Sequence, residues 1–326
     1  MTTSSPNQTR SRLRRIAPSP PLIALLLAIG LFFLGGVIRP GFVNVNQAVN
    51  ILRLASLLGI VAAGQTLVII SGGEGIDLSV GSVVTLGAIL TFRFSNGSNW
   101  LLIVGLVVAL LAGALVGLVN GVGIVGLRIP PLVMTLGMAG VVEGIVLVVT
   151  QGAVQGGTPP LLAGLISSNV LGIPGSAYLW AGVAVGMWLL LERSTYGKHL
   201  FAIGVNRQTA RLSGVRVPRV VLITYTLSGM LAALGGFCLL GFTQRVFLSL
   251  GVPYLFPSIA AVVVGGTVLA GGKGSYWGTM AGALVLTLIN SLLTAMQLSE
   301  AYQLMVLGTT LVVLISIYGR QRGVRQ

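Results

Sequence analysis

Long apolar runs separated by short polar breaks make up most of the chain. A bilayer core about 30 Å thick is crossed by about 20 helical residues, a length that several of these runs reach. We therefore predict an all-α fold, a polytopic membrane helix bundle of about ten transmembrane helices. The predicted spans are residues 22–38, 51–70, 79–92, 101–125, 132–150, 178–191, 220–241, 258–272, 277–297 and 302–318.

The predicted transmembrane domain covers residues 22–318, with cytoplasmic tails at 1–21 and 319–326. Arginines before the first apolar run resemble the start of a signal peptide, but no small-residue cleavage site follows them. We therefore interpret this run as an uncleaved first helix. The longest polar break, residues 193–219, is predicted to lie on the cytoplasmic side.

The distribution of positive charge supports this orientation. Lys and Arg concentrate in the cytoplasmic loops of membrane proteins. With both termini in the cytoplasm, nearly all of the 19 Lys and Arg residues fall on that side. The exceptions are Arg39, Arg53, Arg93 and Arg245. The pattern predicts an even number of spans and a multi-pass membrane protein with both termini in the cytoplasm.

Composition excludes several classes of protein. The chain is 55% hydrophobic and 7% charged, whereas a soluble domain is about a quarter charged. The net charge of +14 lies at the ends of apolar runs, which argues against nucleic acid as a partner. A single cysteine, Cys238, and a single histidine, His199, argue against a disulfide framework, a metal site or a histidine-based catalytic site. We predict no metal, no cofactor and no catalytic residue.

The 47 glycines suit close packing of membrane helices. GxxxG spacings at Gly113–Gly117, Gly117–Gly121 and Gly278–Gly282 predict helix contacts. The segment Ala112–Asn120 also resembles Ala281–Asn290, and the two would run in opposite directions across the membrane. We predict an inverted internal repeat, with chance similarity of small-residue helices as the alternative.

Two glycine-rich stretches resemble nucleotide sites without meeting their requirements. GVGIVG, Gly121–Gly126, has the dinucleotide spacing but lies inside a predicted span. In VLAGGKGS, Val268–Ser275, Thr267 stands in place of the first glycine of a phosphate loop, and Gly274 stands in place of its final Ser or Thr. Any ATP-driven activity therefore requires an ATPase on another chain.

The most polar stretch of the first half is SGGEGIDLSVGS, Ser71–Ser82, which holds Glu74 and Asp77 among glycines. We interpret it as a break in a membrane helix. Asp77 is predicted to cap the next helix, and Gly81 to let that helix pack closely. Direct contact between Asp77 and a transported molecule is the alternative.

Within the long polar break, residues 206–214 (NRQTARLSG) predict a short amphipathic helix closed by a glycine. The prediction places Ala210 and Leu212 on one side, and Arg207 and Arg211 on another. A solvated loop that only carries positive charge is the alternative.

Five blocks of sequence resemble one family. They read GIDLSVGSVVTLGA, LVNGVGIVGLRIPPLVMTLGMAGVVEGI, TYGKHLFAIGVNRQTARLSGVRVPRV, YTLSGMLAALGGF and IAAVVVGGTVLAGGKGSYWGTMAGAL. In this order they are similar to the permease subunits of bacterial ABC importers for ribose, xylose, galactofuranose and related sugars, including autoinducer-2. The resemblance extends from about Asn44 to Ile317.

The resemblance implies a transport subunit of the bacterial inner membrane that has no ATPase site of its own. This subunit is expected to carry a pentose, galactofuranose or similar monosaccharide. Its implied partners are a second permease subunit, identical or a paralogue, a cytoplasmic ABC ATPase and a periplasmic sugar-binding protein. The loop that couples to the ATPase in that family matches Gly197, Gly204, Asn206, Arg207, Ala210, Arg211, Leu212, Ser213 and Gly214. Val205 and Gln208 depart from the family pattern, in which a glycine and an acidic residue are frequent.

Sugar hydroxyls need neutral hydrogen-bonding partners that permit release. The substrate-pathway candidates are Asp77, Ser79, Asn120, Thr135, Gln151, Asn290 and Gln297. Hydrogen bonding between helices is the alternative role for each.

Other functions remain open from the sequence. An ABC permease for nucleosides or branched-chain amino acids is the nearest alternative. An ion-coupled secondary transporter would use Asp77, Glu74 or Glu143 as a proton relay. A membrane scaffold without transport activity is the third.

Overall fold

A computed structural model describes residues 19–154, 156–299, 301–306 and 308–309. This part of the chain is mainly helical. Its one antiparallel hairpin pairs β1 (Asn169–Val170) with β2 (Ile173–Pro174). The helices are α1 (Pro20–Ile38), α2 (Val45–Ile70), α3 (Val80–Ser95), α4 (Leu102–Val125), α5 (Pro131–Thr150), α6 (Pro160–Ser167), α7 (Gly175–Trp188), α8 (Thr195–Val205), α9 (Arg207–Leu212), α10 (Val217–Thr243), α11 (Leu255–Val264) and α12 (Tyr276–Ala295).

Seven helices in the described residues are long and apolar enough to cross a membrane. They are α1, α2, α4, α5, α10, α12, and α7 together with the π-helical turn Leu189–Arg193. Two shorter apolar helices are Val80–Ser95 and Val252–Val264. The prediction of a polytopic membrane helix bundle is confirmed. Most of the predicted tenth span, 302–318, and most of both tails lie outside the described residues.

Helix α2 forms the centre of the bundle. In its most apolar window 89% of the residues are buried, against 17% in α1. It contacts α7, α10, α11 and α12. Small residues allow these helices to approach: a Cβ on Gly64 would lie 2.9 Å from the hydroxyl oxygen of Ser228 in α10. The core therefore consists of α2, α10 and the helices around them, with α1 packed outside on α12.

The predicted GxxxG contacts are confirmed. A Cβ on Gly113 or Gly117 in α4 would overlap the backbone of α10 at Gly229 and Tyr225. On α12, a Cβ on Gly282 would overlap the carbonyl group of Ala261 in α11. These glycines hold two pairs of helices at backbone contact. The inverted repeat stays a prediction.

The predicted span 258–272 is wrong beyond Val264, where α11 ends. Gly266, Gly271 and Gly272 have φ of +88°, +90° and +71°, a left-handed backbone that a helix cannot contain. Residues 265–275 therefore form a non-helical connection to α12.

The polar break 193–219 is more ordered than the sequence predicts, because it contains α8 as well as the short helix α9. An unpredicted helix, α6, and the hairpin occupy the break between α5 and α7. The bundle thus has one end that carries α8, α9 and the 265–275 connection, called the α9 end below. The opposite end carries the hairpin, the start of α2 and the end of α12.

Candidate functional site

The segment between α2 and α3 reverses the chain without a helix. Gly72, Gly73 and Glu74 have φ of +68°, +63° and +60°. Left-handed backbone is accessible to glycine but costs about 1–2 kcal/mol for other residues, so the two glycines favour the reversal. The chain then returns into the buried interior before α3 begins at Val80. The predicted break in the helix is confirmed, and residues 71–79 are called the broken segment below.

Side chains from neighbouring helices satisfy the backbone of the broken segment. Gln65 in α2 donates from Nε2 to the carbonyl oxygen of Asp77 at 2.6 Å and accepts from its N–H at 3.3 Å. The hydroxyl of Thr135 in α5 accepts from the N–H of Leu78 at 3.0 Å. Lipid offers no such partners, so non-helical backbone at membrane depth depends on them. Gln65 was not among the sequence candidates, although an isolated glutamine inside an apolar run could have identified it.

The carboxylate of Asp77 is buried and accepts three hydrogen bonds. Oδ1 accepts from the N–H of Ser79 at 3.0 Å and from its hydroxyl at 2.6 Å. Oδ2 accepts from the hydroxyl of Ser228 in α10 at 2.8 Å. Asp77 therefore holds the turn immediately before α3 and is not its N-cap, because Ser79 is the N-cap residue and no side chain caps that helix. Ser228, which the sequence reasoning missed, adds a link from this turn to α10.

Asn120 completes this group by donating from Nδ2 to the hydroxyl of Ser79 at 3.0 Å. The other amide atom, Oδ1, and the hydroxyl of Tyr225 are buried with no hydrogen-bond partner among the described residues. The structure thus brings four sequence candidates into one buried site. We call the group the Asp77 cluster; its members are Gln65, Asp77, Ser79, Asn120, Thr135 and Ser228, all at most 1% exposed.

Helix α9 forms where the sequence predicts it. The side-chain oxygen of Asn206 accepts from the N–H groups of Gln208 and Thr209 at 2.9 and 3.0 Å, which caps the first turn. Gly214 follows the helix with φ of +84°. These two residues set the length of α9.

The predicted faces of α9 are wrong for Ala210 and Leu212, because residues two apart lie about 200° apart around a helix. Ala210 is 4% exposed, whereas Leu212 is 84% exposed. The arginines also separate. Arg207 is half-buried and donates from Nη2 to the carbonyl oxygen of Gly72 at 3.0 Å, whereas Arg211 is exposed. One face of α9 is therefore bound to the broken segment, and the other is free.

Glycines place α8 against the same region. A Cβ on Gly204 would overlap the carbonyl oxygen of Ile70 and the N–H of Gly272. That N–H donates to the carbonyl oxygen of Ile70 at 2.9 Å. A Cβ on Gly197 would overlap the carbonyl group of Leu191. Two of the three glycines predicted for the coupling loop thus permit backbone contact that a larger residue would prevent.

Tyr196 anchors the start of α8. Its hydroxyl lies 2.8 Å from that of Thr224 in α10. Burial raises the pKa of the Tyr196 phenol above its usual range, so this group stays neutral and acts as a hydrogen-bonding contact.

A cavity of about 730 Å³ opens at the end of the bundle opposite α9. Its size lies within the range of small-molecule sites, about 300–1,000 Å³. Asn290, a sequence candidate, lines it, and the amide oxygen of Asn290 is buried with no hydrogen-bond partner among the described residues. The polar and aromatic residues of its wall are Arg39, Phe42, Gln47, Asn50, Tyr254, Thr287, Asn290, Ser291 and Thr294.

The two remaining candidates lie elsewhere. Gln151 follows α5 with φ of +51°, and Gln297 lies beyond α12 with φ of +58°. Both are exposed at helix ends. Gln151 borders a second cavity, of about 340 Å³, together with Arg93 and Asn96. The seven candidates therefore do not form a single site.

Helix α5 carries an acidic residue on an open face. Glu143 is exposed, and a Cβ on Gly137, Gly140 or Gly144 would meet no atom within 4 Å. A charge at the centre of a membrane helix costs about 2.5–3.5 kcal/mol when it faces lipid. This face therefore suits a protein partner or water better than lipid.

Within the residues that the structure describes, no three His, Cys, Asp or Glu side chains cluster as metal ligands would. The described residues instead form a buried polar cluster, a short helix bound to the broken segment, and a polar cavity at the opposite end of the bundle.

The chain resembles several curated proteins over most of its length. It is 34% identical to the ribose import permease protein RbsC of Escherichia coli (strain K12), over 92% of this chain and 93% of that protein. It is 31% identical to the fructose import permease protein FrcC of Rhizobium meliloti, over 91% and 84%. It is 32% identical to the autoinducer 2 import system permease protein LsrC of Shigella flexneri, over 95% and 90%.

No solved structure matches the chain. One family model matches residues 47–315, and its description is branched-chain amino acid transport system / permease component. The match includes the broken segment, α8, α9 and the helices that line the cavity. This multi-pass membrane protein therefore belongs to the family of permease components of branched-chain amino acid transport systems.

Proposed function

We propose that this chain is the membrane-spanning permease subunit of an ATP-binding cassette importer for a pentose, galactofuranose or similar monosaccharide. Separate subunits hydrolyse ATP, and no chemistry occurs in the chain itself. The observation that carries the proposal is α9, whose inner face is hydrogen-bonded to the broken segment at Gly72 while its outer face is free. A helix placed in this way can transmit the movement of an attached ATPase to the membrane helices.

The outer face of α9 is proposed as the docking surface for the ATPase. Leu212 is 84% exposed and follows the exposed Arg211, and Val205 at the end of α8 is 72% exposed. An apolar side chain that is exposed next to a positive charge is typical of an interface anchor with a polar rim. The α9 end is then cytoplasmic, and the sugar-binding protein docks at the opposite end, where the cavity opens.

The lining of the cavity supports a sugar as substrate. Among the described residues of the wall, Arg39 is the one charged residue, and the others offer amides, hydroxyls and the aromatic rings of Phe42 and Tyr254. A branched-chain amino acid would need partners for both its carboxylate and its ammonium group. The relatives named for ribose and fructose import point to the same substrate class.

Asn290 and its neighbours are proposed to form the entrance of the substrate pathway. The amide oxygen of Asn290 is buried and unpartnered among the described residues, and a turn of the side chain toward the cavity would let it accept from a sugar hydroxyl. The pair formed by Gln47 and Ser291, joined at 2.7 Å, lines the same cavity. The Asp77 cluster supports the pathway at the α9 end by holding the broken segment in place.

A second permease subunit is proposed to pack beside α5. The glycines on this helix leave room for close contact with a second subunit. The exposed Glu143 suits a water-filled pathway between the two subunits. An ion-coupled transporter is less well supported, because no hydrogen bond in the described residues joins the three candidate acids into a relay. Glu74 is exposed in the turn after α2, Asp77 is bound in its cluster, and Glu143 lies midway along α5.

The test is transport by the complete system in proteoliposomes. The chain is reconstituted with its ATPase and binding protein, and uptake of ribose, a nucleoside and leucine is compared. We expect sugar uptake that requires ATP, resists an uncoupler and stops without the ATPase. Uptake that collapses with the uncoupler and needs no ATPase, or ATP hydrolysis by this chain alone, would contradict the proposal.

A further inference from the structure

The guanidinium group of Arg207 lies inside the α9 end, although its helix is exposed. Its Nη2 donates to the carbonyl oxygen of Gly72 at 3.0 Å. A Cβ on Gly73 would lie 2.5 Å from Cζ and Nη2 of the same group. The guanidinium plane therefore packs directly on the backbone of the broken segment, which is possible because two consecutive glycines present no side chains.

The same turn is held from its other side. A Cβ on Gly72 would lie 2.9 Å from the carbonyl oxygen of Gly204 in α8 and 3.1 Å from that of Ala270. Helices α8 and α9 are consecutive and joined at Asn206. The turn after α2 is thus enclosed between Gly204 and Arg207, and a displacement of the α8–α9 unit must displace it.

The carbonyl group of Gly72 is also connected to the buried cluster through the backbone of the broken segment. It accepts from the N–H of Gly75 at 3.2 Å as well as from Arg207. Two residues after Gly75, the chain reaches Asp77, whose backbone is bound by Gln65 and whose carboxylate is bound by Ser79 and Ser228. A short and highly connected backbone path therefore joins Arg207 to the Asp77 cluster.

Two buried polar groups in this region are unsatisfied. Nε of Arg207 and the hydroxyl of Tyr225 have no hydrogen-bond partner among the described residues. Tyr225 also interacts electrostatically with both Asp77 and Arg207, so the three side chains share this region. Buried polar groups without partners are unfavourable. The packing around Arg207 is therefore tight at Gly72 and unsatisfied at Nε.

From these contacts we infer that Arg207 is a positioning residue that transmits displacement of α9 to the broken segment and the Asp77 cluster, and that it does not belong to the ATPase docking surface. This inference rests on the proposed function, since it assumes an ATPase bound to α9. Arg211, four residues later on the same helix, serves the docking surface. Coupling through one bonded side chain and a rigid turn is a contiguous physical connection of the kind that can link two sites.

The test uses the complete importer in proteoliposomes and measures three quantities: co-purification with the ATPase, ATP hydrolysis, and sugar uptake per ATP hydrolysed. In Arg207→Gln we expect normal co-purification and hydrolysis, with uptake per ATP reduced about 3- to 30-fold. In Arg211→Gln we expect weaker co-purification with the ATPase and unchanged sugar uptake per ATP hydrolysed. The two variants remove the same kind of side chain from one helix.

Two further variants separate the connection from general damage. Arg207→Lys keeps a donor for the carbonyl oxygen of Gly72, and we expect it to restore part of the ratio. Gly73→Ala places a methyl group against the guanidinium, and we expect it to lower the ratio as Arg207→Gln does. An unchanged ratio in Arg207→Gln, or loss of co-purification in that variant, would overturn the inference. Failure of the wild-type chain to bind any ATPase would instead overturn the proposed function.

Discussion

The hydroxyl of Ser228 donates to the carboxylate of Asp77 at 2.8 Å across 151 positions of sequence. This bond joins α10 to the turn before α3. It explains why a carboxylate is retained in an apolar interior: three donors converge on it and hold the broken segment. Asp77 therefore mainly holds the broken segment in place, and substitutions of this residue distinguish that structural role from a proton relay.

Asp77→Asn should transport sugar almost normally. The remaining oxygen can accept from Ser79, and the hydroxyl of Ser228 can turn to accept from the new amide. We therefore expect the change to cost less than about 1 kcal/mol, which corresponds to a decrease in uptake of less than about fivefold. Asp77→Ala removes the acceptor and should lower the free energy of unfolding by about 2–4 kcal/mol. Uptake and thermal unfolding in detergent measure the two effects. Complete loss of transport in a stable Asp77→Asn protein would contradict the structural role and favour a proton relay.

Gly117→Ala should destabilise the bundle, because the added methyl group would overlap the carbonyl group of Tyr225 in α10. We expect a loss of about 1–3 kcal/mol, measured as a lower unfolding midpoint in detergent. The matched control is Gly186→Ala in α7, where a Cβ meets no atom within 4 Å. That change should be neutral or stabilise by up to about 1 kcal/mol. Equal midpoints for the two variants would contradict the backbone contact between α4 and α10.

Asn290→Leu should reduce uptake without destabilising the protein, because the amide oxygen that it removes is buried and unpartnered. We expect uptake at limiting sugar to fall about tenfold, which corresponds to the loss of one or two hydrogen bonds to the substrate. The comparison is Gln297→Gly, which lies outside the wall of the cavity and keeps the left-handed backbone of that position. A larger loss of uptake from Gln297→Gly than from Asn290→Leu would move the pathway away from this cavity.

Leu212→Glu should strongly weaken binding of the ATPase, because it places a negative charge at the apolar anchor of the docking surface. We expect a loss of at least about 2 kcal/mol in affinity, measured by co-purification or titration. Leu171→Glu is the matched control, since Leu171 is 93% exposed in the hairpin at the opposite end. If Leu171→Glu disrupts ATPase binding and Leu212→Glu does not, the proposed orientation is reversed.

Several features of the site could be predicted from the sequence because they depend on local chemistry. Asn206 and Gly214 define α9 through a side-chain cap and a left-handed residue, and both signals lie within one short segment. The break after α2 is equally local, since Gly72 and Gly73 are the residues that tolerate its backbone. The predicted faces of α9 were wrong, because residues two apart cannot share a helix face, and which of the two is buried depends on the elements packed against α9.

The pathway candidates illustrate the limit of such reasoning. Asn120 and Asn290 occupy similar positions in two similar apolar segments, yet one is enclosed in the Asp77 cluster and the other lines a cavity. Polarity within a span identifies residues that need partners. It does not say whether the partner is another helix or a ligand.

The sequence by itself determined that this is a helical membrane protein, that a break follows α2 and which segment forms the short helix α9. Hydrophobic run length, glycine backbone freedom and capping act over a few residues, so a linear pattern contains them. Only the tertiary structure decided that Arg207 turns inward to Gly72 and that Ser228 reaches Asp77. These contacts join segments more than a hundred residues apart, and they depend on which helices the glycines allow into backbone contact.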